Sequence, residues 1–125
     1  MSTPTFKTWK AYQKAFPWAL SISKAAQLWP SHERFSLTDQ IRRSSRSVSA
    51  NLAEACAKRR YPKHFISKLT DCLGETEETQ VHLDFALAEG YIDSEVHRTL
   101  SQTRSEVARL LHYMIRNPGQ FAEVK

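Results

Sequence analysis

The sequence predicts an all-α protein, a single domain (1–125) of four helices arranged as an antiparallel up-down-up-down bundle. Three observations carry this. Apolar residues recur at spacings of three and four over long stretches, the period of a helix face turned to a core. Gly and Pro number only 3 and 5 in 125 residues, so little interrupts those stretches. The interruptions fall in short clusters, and helices joined by short turns pack as antiparallel neighbours. A chain of 125 residues is long enough to bury a core of its own.

Residues 1–5 read as a frayed leader, with Thr5 as a candidate cap. The first helix is expected over about 6–28. Trp9, Tyr12, Phe16 and Leu20 form one apolar stripe; Trp18, Ile22, Ala26 and Trp29 form a second. Two apolar flanks exceed what one bundle core requires. Surplus aromatic surface on a helix indicates a protein partner, most simply a second copy; the alternative is that one chain fills both stripes. Pro17 lacks an amide and clashes with the preceding turn, so it is expected to kink or interrupt this helix.

Pro30-Ser31-His32 connects to a second helix over about 36–60. Ser36 is the expected N-cap, with Asp39 completing a variant capping box. Leu37, Ile41, Ser44, Ser45, Val48, Leu52 and Ala55 form its inward stripe. Arg42, Arg43 and Arg46 lie on the opposite side, which continues as Ala50, Ala53 and Ala57. Small residues there would let another helix approach closely.

Tyr61-Pro62 breaks the chain, and Pro62 suits the first position of a third helix over about 62–88. Phe65 or Ile66, Leu69, Leu73, Thr76, Gln80, Leu83 and Leu87 are its expected inward residues, with Gly90 as C-terminal cap. Asp93 or Ser94 opens the fourth helix, about 94–116, whose stripe is Val96, Leu100, Thr103, Val107, Leu110, Leu111 and Met114. Asn117-Pro118-Gly119 stops it, and the residues beyond are expected to be loose.

One segment carries a resemblance. Arg34-Phe35, Leu37-Thr38, Gln40-Ile41-Arg42-Arg43, Ser47-Val48 and Ala50-Asn51-Leu52-Ala53-Glu54 stand in register. This run resembles the bacterial four-helix-bundle proteins first noticed in intervening sequences of large-subunit rRNA genes. Their signature is ERF-x-L-x-x-QIRR followed by a Ser–Ile/Val–Pro–Ala–Asn segment that ends in Ala-Glu-Gly. Ser49 stands at the usual Pro and Ala55 at the usual Gly, and both departures favour a more regular helix. The resemblance implies a homopentameric ring of bundles. It further implies kinship with accessory subunits of retroelement reverse transcriptases, which bind RNA or DNA, so a reverse transcriptase or other protein is a candidate partner.

The net charge of +5 is unevenly placed. Residues 31–70 hold nine Lys and Arg against three acids, whereas 71–95 hold eight acids and no Lys or Arg. Such asymmetry fits a nucleic-acid footprint or complementary faces meeting within an assembly. The candidate nucleic-acid-binding residues are Arg42, Arg43, Arg46, Lys58, Arg59, Arg60, Lys63 and Lys68, with Tyr61 and Phe65 interleaved for stacking. The plainer reading is a solvated face with helix pairs such as Asp39–Arg43 and Glu54–Lys58. The candidate oligomer interface is Trp9, Phe16, Trp18, Ile22, Trp29, Ala50, Ala53 and Ala57.

Asp71, Glu75, Glu78 and His82 share a flank of the third helix. A di-iron bundle needs a Glu-x-x-His pair on two helices. Thr79 stands where the first Glu would be, so no metal is expected and the acids are read as partners for the second-helix arginines. No phosphate loop, zinc spacing or nucleophile with base and orienting acid is present, so neither an enzyme nor a cofactor is expected. Cys56 and Cys72 fall near apolar stripes and read as buried thiols. Lysines interrupt the N-terminal apolar run and no stretch approaches about 20 apolar residues, so a cytoplasmic location and no membrane contact are expected.

Overall fold

The helical periodicity is realised throughout. The computed structural model describes residues 5–121, all helix and turn. Five α-helices follow in order: α1 Thr5–Thr8, α2 Lys10–Ala26, α3 Leu37–Ala57, α4 Pro62–Ala88 and α5 Ser94–Arg116. Short 3-10 turns at Ser31–Glu33 and Pro118–Gln120 complete the chain. Residues 1–4 of the expected leader (1–5) and the last residues (122–125) lie outside the described residues, while Thr5, the candidate cap, is instead the first residue of α1.

The four long helices pack in a closed cycle: α2 on α3, α3 on α4, α4 on α5 and α5 back on α2. Named pairs define the register. Lys14 Nζ meets Glu106 Oε2 at 2.9 Å, and Trp18 Nε1 donates to the Leu100 carbonyl at 3.0 Å. Ser44 and Thr79 hydroxyls lie 2.7 Å apart, Lys68 Nζ reaches Glu54 at 2.9 Å, and Gln80 Nε2 donates to Ser101 Oγ at 3.1 Å.

The first helix departs from expectation in two places. Helix α2 runs unbroken through Pro17, whose ring is exposed. The break comes instead at Trp9, extended at φ −74° and ψ 134°. There the chain turns the indole inward, edge-on to Phe65 at 6.0 Å and Phe121 at 6.1 Å. Fully burying a large apolar side chain contributes about 1.5–3 kcal/mol, enough to outweigh one turn of helix. Phe121 is thereby packed rather than loose.

Trp9, Trp18, Ile22 and Trp29, expected at an interface between copies, are all buried in this chain's own core. The correction follows from packing: the second stripe and Trp9 fill the bundle interior, while Phe16 and Leu20 of the first stripe stay half-exposed. Ala50 and Ala57 are exposed and Ala53 is half-buried.

Helix α3 matches its predicted stripe in full, from Leu37 to Ala55, with Cys56 added. It is continuous across Ser49 and Ala55 and stops at Ala57, three residues before the expected end. In α4 the inward line is Phe65, Leu69, Cys72, Thr76, Thr79, Leu83 and Ala86; Ile66, Leu73, Gln80 and Leu87 flank it half-buried. In α5 Leu100, Val107, Ala108, Leu111 and Met114 are buried, but Val96 is exposed. Burial pushes the Cys72 thiol up to about 12, so it stays protonated.

Candidate nucleic-acid interface

The α3–α4 junction is built by local chemistry. Proline at the first position of α4 disfavours a helical residue before it, and Tyr61 is accordingly extended at φ −115° and ψ 93°. Lys58, Arg60, Tyr61, Lys63 and His64 are all exposed. Arg59 is different. Its Nη1 donates to the Cys56 carbonyl at 2.7 Å and lies 3.2 Å from Cys56 Sγ, so the guanidinium closes the C-terminus of α3.

Packing brings two further segments to this junction. Trp9 touches Phe65 and Phe121, Phe121 meets Tyr113 edge-on at 6.1 Å, and α1 packs on α3. One end of the molecule thus gathers residues 5–13, 55–67 and 110–121. These segments carry Lys7, Lys10, Lys58, Arg59, Arg60, Lys63 and Arg116, and no Asp or Glu at all. Among the described residues none of these cations forms an ion pair. Lys7, Lys10 and Arg116 were not singled out in the sequence. The acid-free composition of the three segments, combined with short turns that fold them to one end, was the available signal.

Helix dipoles account for only part of this charge. Lys58, Arg59, Arg60 and Arg116 lie at C-terminal ends, where cations are stabilising. Lys10 and Lys63 lie in the first turns of α2 and α4, where a cation opposes the dipole by about 0.3–1 kcal/mol. Neither of those helices has an acid in its first turn or a side-chain cap. Their free amides therefore add to the positive potential rather than being quenched.

The remaining candidates lie elsewhere. Arg42, Arg43 and Arg46 sit at least twelve residues up α3 from Lys58, about 18 Å or more along the helix. Arg43 faces Asp39 at 3.7 Å, and Arg46 Nη2 reaches Ser23 Oγ at 3.5 Å. Arg42 is half-buried, with Nε lacking a hydrogen-bond acceptor. Lys68 is held between Glu54 (2.9 Å) and Asp71 (3.5 Å), neighbours that raise its pKa, led by the hydrogen bond to Glu54. These four do not join the basic end.

The acids of α4 meet other groups than expected. Among the described residues no α3 arginine pairs with an α4 carboxylate; Glu77 pairs with Arg104 at 2.6 Å, Glu78 with His82 at 3.3 Å and Asp84 with His97 at 2.8 Å. Arg43 only shares a shallow surface cleft with Glu75 and Glu78. Burial and the neighbouring Glu78 and Asp71 raise the Glu75 pKa. No three His, Cys, Asp or Glu side chains among the described residues converge as a metal ion would require.

Helices in a closed cycle, with one end whose cations form no ion pair among the described residues, define a small helical protein. The chain belongs to the 23S rRNA-intervening sequence protein family, which it matches over residues 7–113. It is similar to a crystal structure of a protein of unknown function from the S23 ribosomal protein family of Bacteroides thetaiotaomicron. That likeness has 27% identity and a TM-score of 0.77, over 85% of this chain and 95% of that one. No curated protein matches the chain.

Proposed function

We propose that this protein is a non-enzymatic nucleic-acid-binding module, an up-down-up-down antiparallel bundle that offers its basic end to a phosphate backbone. The pairs 14–106 and 18–100, 44–79 and 54–68, and 77–104 and 84–97 support antiparallel neighbours, because each rising number meets a falling one. The observation that carries the function is the position of Lys10 and Lys63. Charge that works against two helix dipoles, in described segments that hold no acid, does not serve folding, and it is what a polyanion surface requires. RNA is the first ligand to test.

A second reading is a self-assembling scaffold, a homopentamer on the family resemblance. Phe16 and Leu20 line an open apolar groove with Ala19, Ser49 and Arg46. Elsewhere exposed Val81 and Phe85 share helix α4 with Glu77 and Glu78. The two surfaces are complementary in character.

The experiment is RNA binding measured at about 50 and about 200 mM salt. Binding is expected to fall steeply with salt. Replacing Lys58, Arg60 and Lys63 together by Ala should weaken it and flatten the log–log salt slope by about 0.7–0.9 for each phosphate that is no longer neutralised, with helicity unchanged by circular dichroism. Absence of binding at the lower salt overturns the proposal and leaves the scaffold.

A further inference from the structure

Tyr61 is the side chain at the basic end that charge does not explain. A tyrosine gains stability by burying its ring, yet Tyr61 is 61% exposed. It is not a loose residue either. Its amide donates to the Lys58 carbonyl at 2.9 Å, and its own carbonyl accepts from Phe65 N at 2.9 Å. Its ring stands edge-on to His64 at 6.2 Å and 86°. The backbone is held by these bonds, the ring meets His64 along one edge and is otherwise open, and Arg60 and Lys63 lie one and two residues away.

We infer that the basic end takes single-stranded nucleic acid, with a base stacked on the exposed Tyr61 ring while Lys58, Arg60 and Lys63 hold the flanking phosphates. The inference rests on the nucleic-acid reading above and names its ligand class. The physical reason is access. In a duplex each base is already stacked on its neighbours, so a surface ring reaches only sugar and phosphate; an unpaired base offers a free face. Tyr61 thus favours the strand whose bases are free, and cations alone favour neither form. The half-exposed Tyr113, turned towards Phe121 at the same end, is a second ring on which a longer strand can rest.

The test compares a short unstructured RNA with the same sequence as a blunt duplex, at one salt concentration, for wild type, Tyr61→Ala and Tyr61→Phe. Removing a ring on which one base stacks lowers affinity about 5- to 150-fold. The expected result is that drop for single-stranded RNA in Tyr61→Ala, little change for duplex, an unchanged salt slope, and retention of binding in Tyr61→Phe. Equal single-strand affinity in Tyr61→Ala and wild type, or an equal drop for the duplex, overturns the stacking role while phosphate binding stands. Wild-type protein that binds neither form overturns both readings. The same strand as DNA separates the sources: equal affinity assigns the site to either sugar, and weaker binding assigns a contribution to the 2′-hydroxyls.

Discussion

The two ends of this molecule use their charged residues in opposite ways. At the end where α2 and α4 finish, polar groups are engaged in holding the chain. The Glu33 carboxylate accepts from Ser36 Oγ at 2.6 Å, Tyr91 Oη at 2.8 Å and the Leu37 amide at 3.3 Å. Asp93 caps α5 by accepting from the Val96 amide at 2.8 Å. Gly90, at φ +78°, ends α4 with Gly90 N donating to Leu87 O and Tyr91 N to Ala86 O, an arrangement that needs the left-handed residue. At the other end neutral side chains such as Gln13 and Asn117 bond to the backbone, but of the seven cations only Arg59 is engaged in this way, and the other six make no ion pair among the described residues. The difference separates charges that build the fold from charges left for something else.

The largest break in this contrast is Trp9→Ala. The ring joins Phe65 and Phe121 beneath the basic surface, and truncating a buried Trp typically costs about 3–5 kcal/mol. Urea unfolding should show that loss, accompanied by weaker RNA binding as the three segments separate. A wild-type unfolding midpoint with a smaller particle mass would instead return Trp9 to an interface between copies.

The clasp at the opposite end should respond to pH from both sides. Hydrogen bonds from Ser36, Tyr91 and the Leu37 amide hold the Glu33 pKa below its ordinary 4.5. Its contribution is therefore present above 4.5 and lost as pH falls through the lower folded value. The bond to Glu33 raises Tyr91 from 10.0 to about 12, so that contribution is present below 10 and lost as pH climbs towards 12. Glu33→Gln should be less stable than wild type at neutral pH, with the two curves converging in acid, while RNA binding keeps its affinity. Parallel stability profiles from neutral to acid pH would show that the carboxylate charge does not hold this end.

How much of this was legible in the sequence follows from how local each determinant is. The α3 stripe, Pro62 at the start of α4, Gly90 and Asp93 are set by spacing or by neighbouring residues, and each was readable. On α2 two stripes were equally apolar, and nothing local distinguishes the one facing a core. The choice belongs to Phe65, Phe121 and α5, which lie far away in sequence. The cap of α3 was misread for the same reason: Ser36 satisfies the pattern, but Ser36 Oγ donates to Glu33, and that carboxylate, braced by Tyr91 from 58 residues away, receives the Leu37 amide. The candidate site was half legible. The run from Lys58 to Lys63 was plain, whereas Arg59 turning inward and Lys7, Lys10 and Arg116 arriving from the termini are consequences of packing.

Arg59 gives the finest test of the contrast, because it sits among surface cations but behaves like a residue of the other end. Its Nη1 adds a second donor to the Cys56 carbonyl, which also accepts from the Arg59 amide at 3.3 Å where α3 stops; a bond to a charged group has a net value of about 1.5–3 kcal/mol when fully formed. Partial exposure and the ability of water to replace it put Arg59→Ala below that range, at about 1 kcal/mol. If its guanidinium is a helix terminus and not a phosphate ligand, Arg59→Ala should shift the unfolding midpoint slightly and leave the salt slope of RNA binding at the wild-type value. Arg60→Ala should do the reverse, flattening the slope by about 0.7–0.9, the value of a single phosphate, at unchanged stability. A flattened slope in Arg59→Ala would mean that the guanidinium leaves Cys56 for the backbone of the ligand, and the division between structural and free charge would then depend on the ligand being bound.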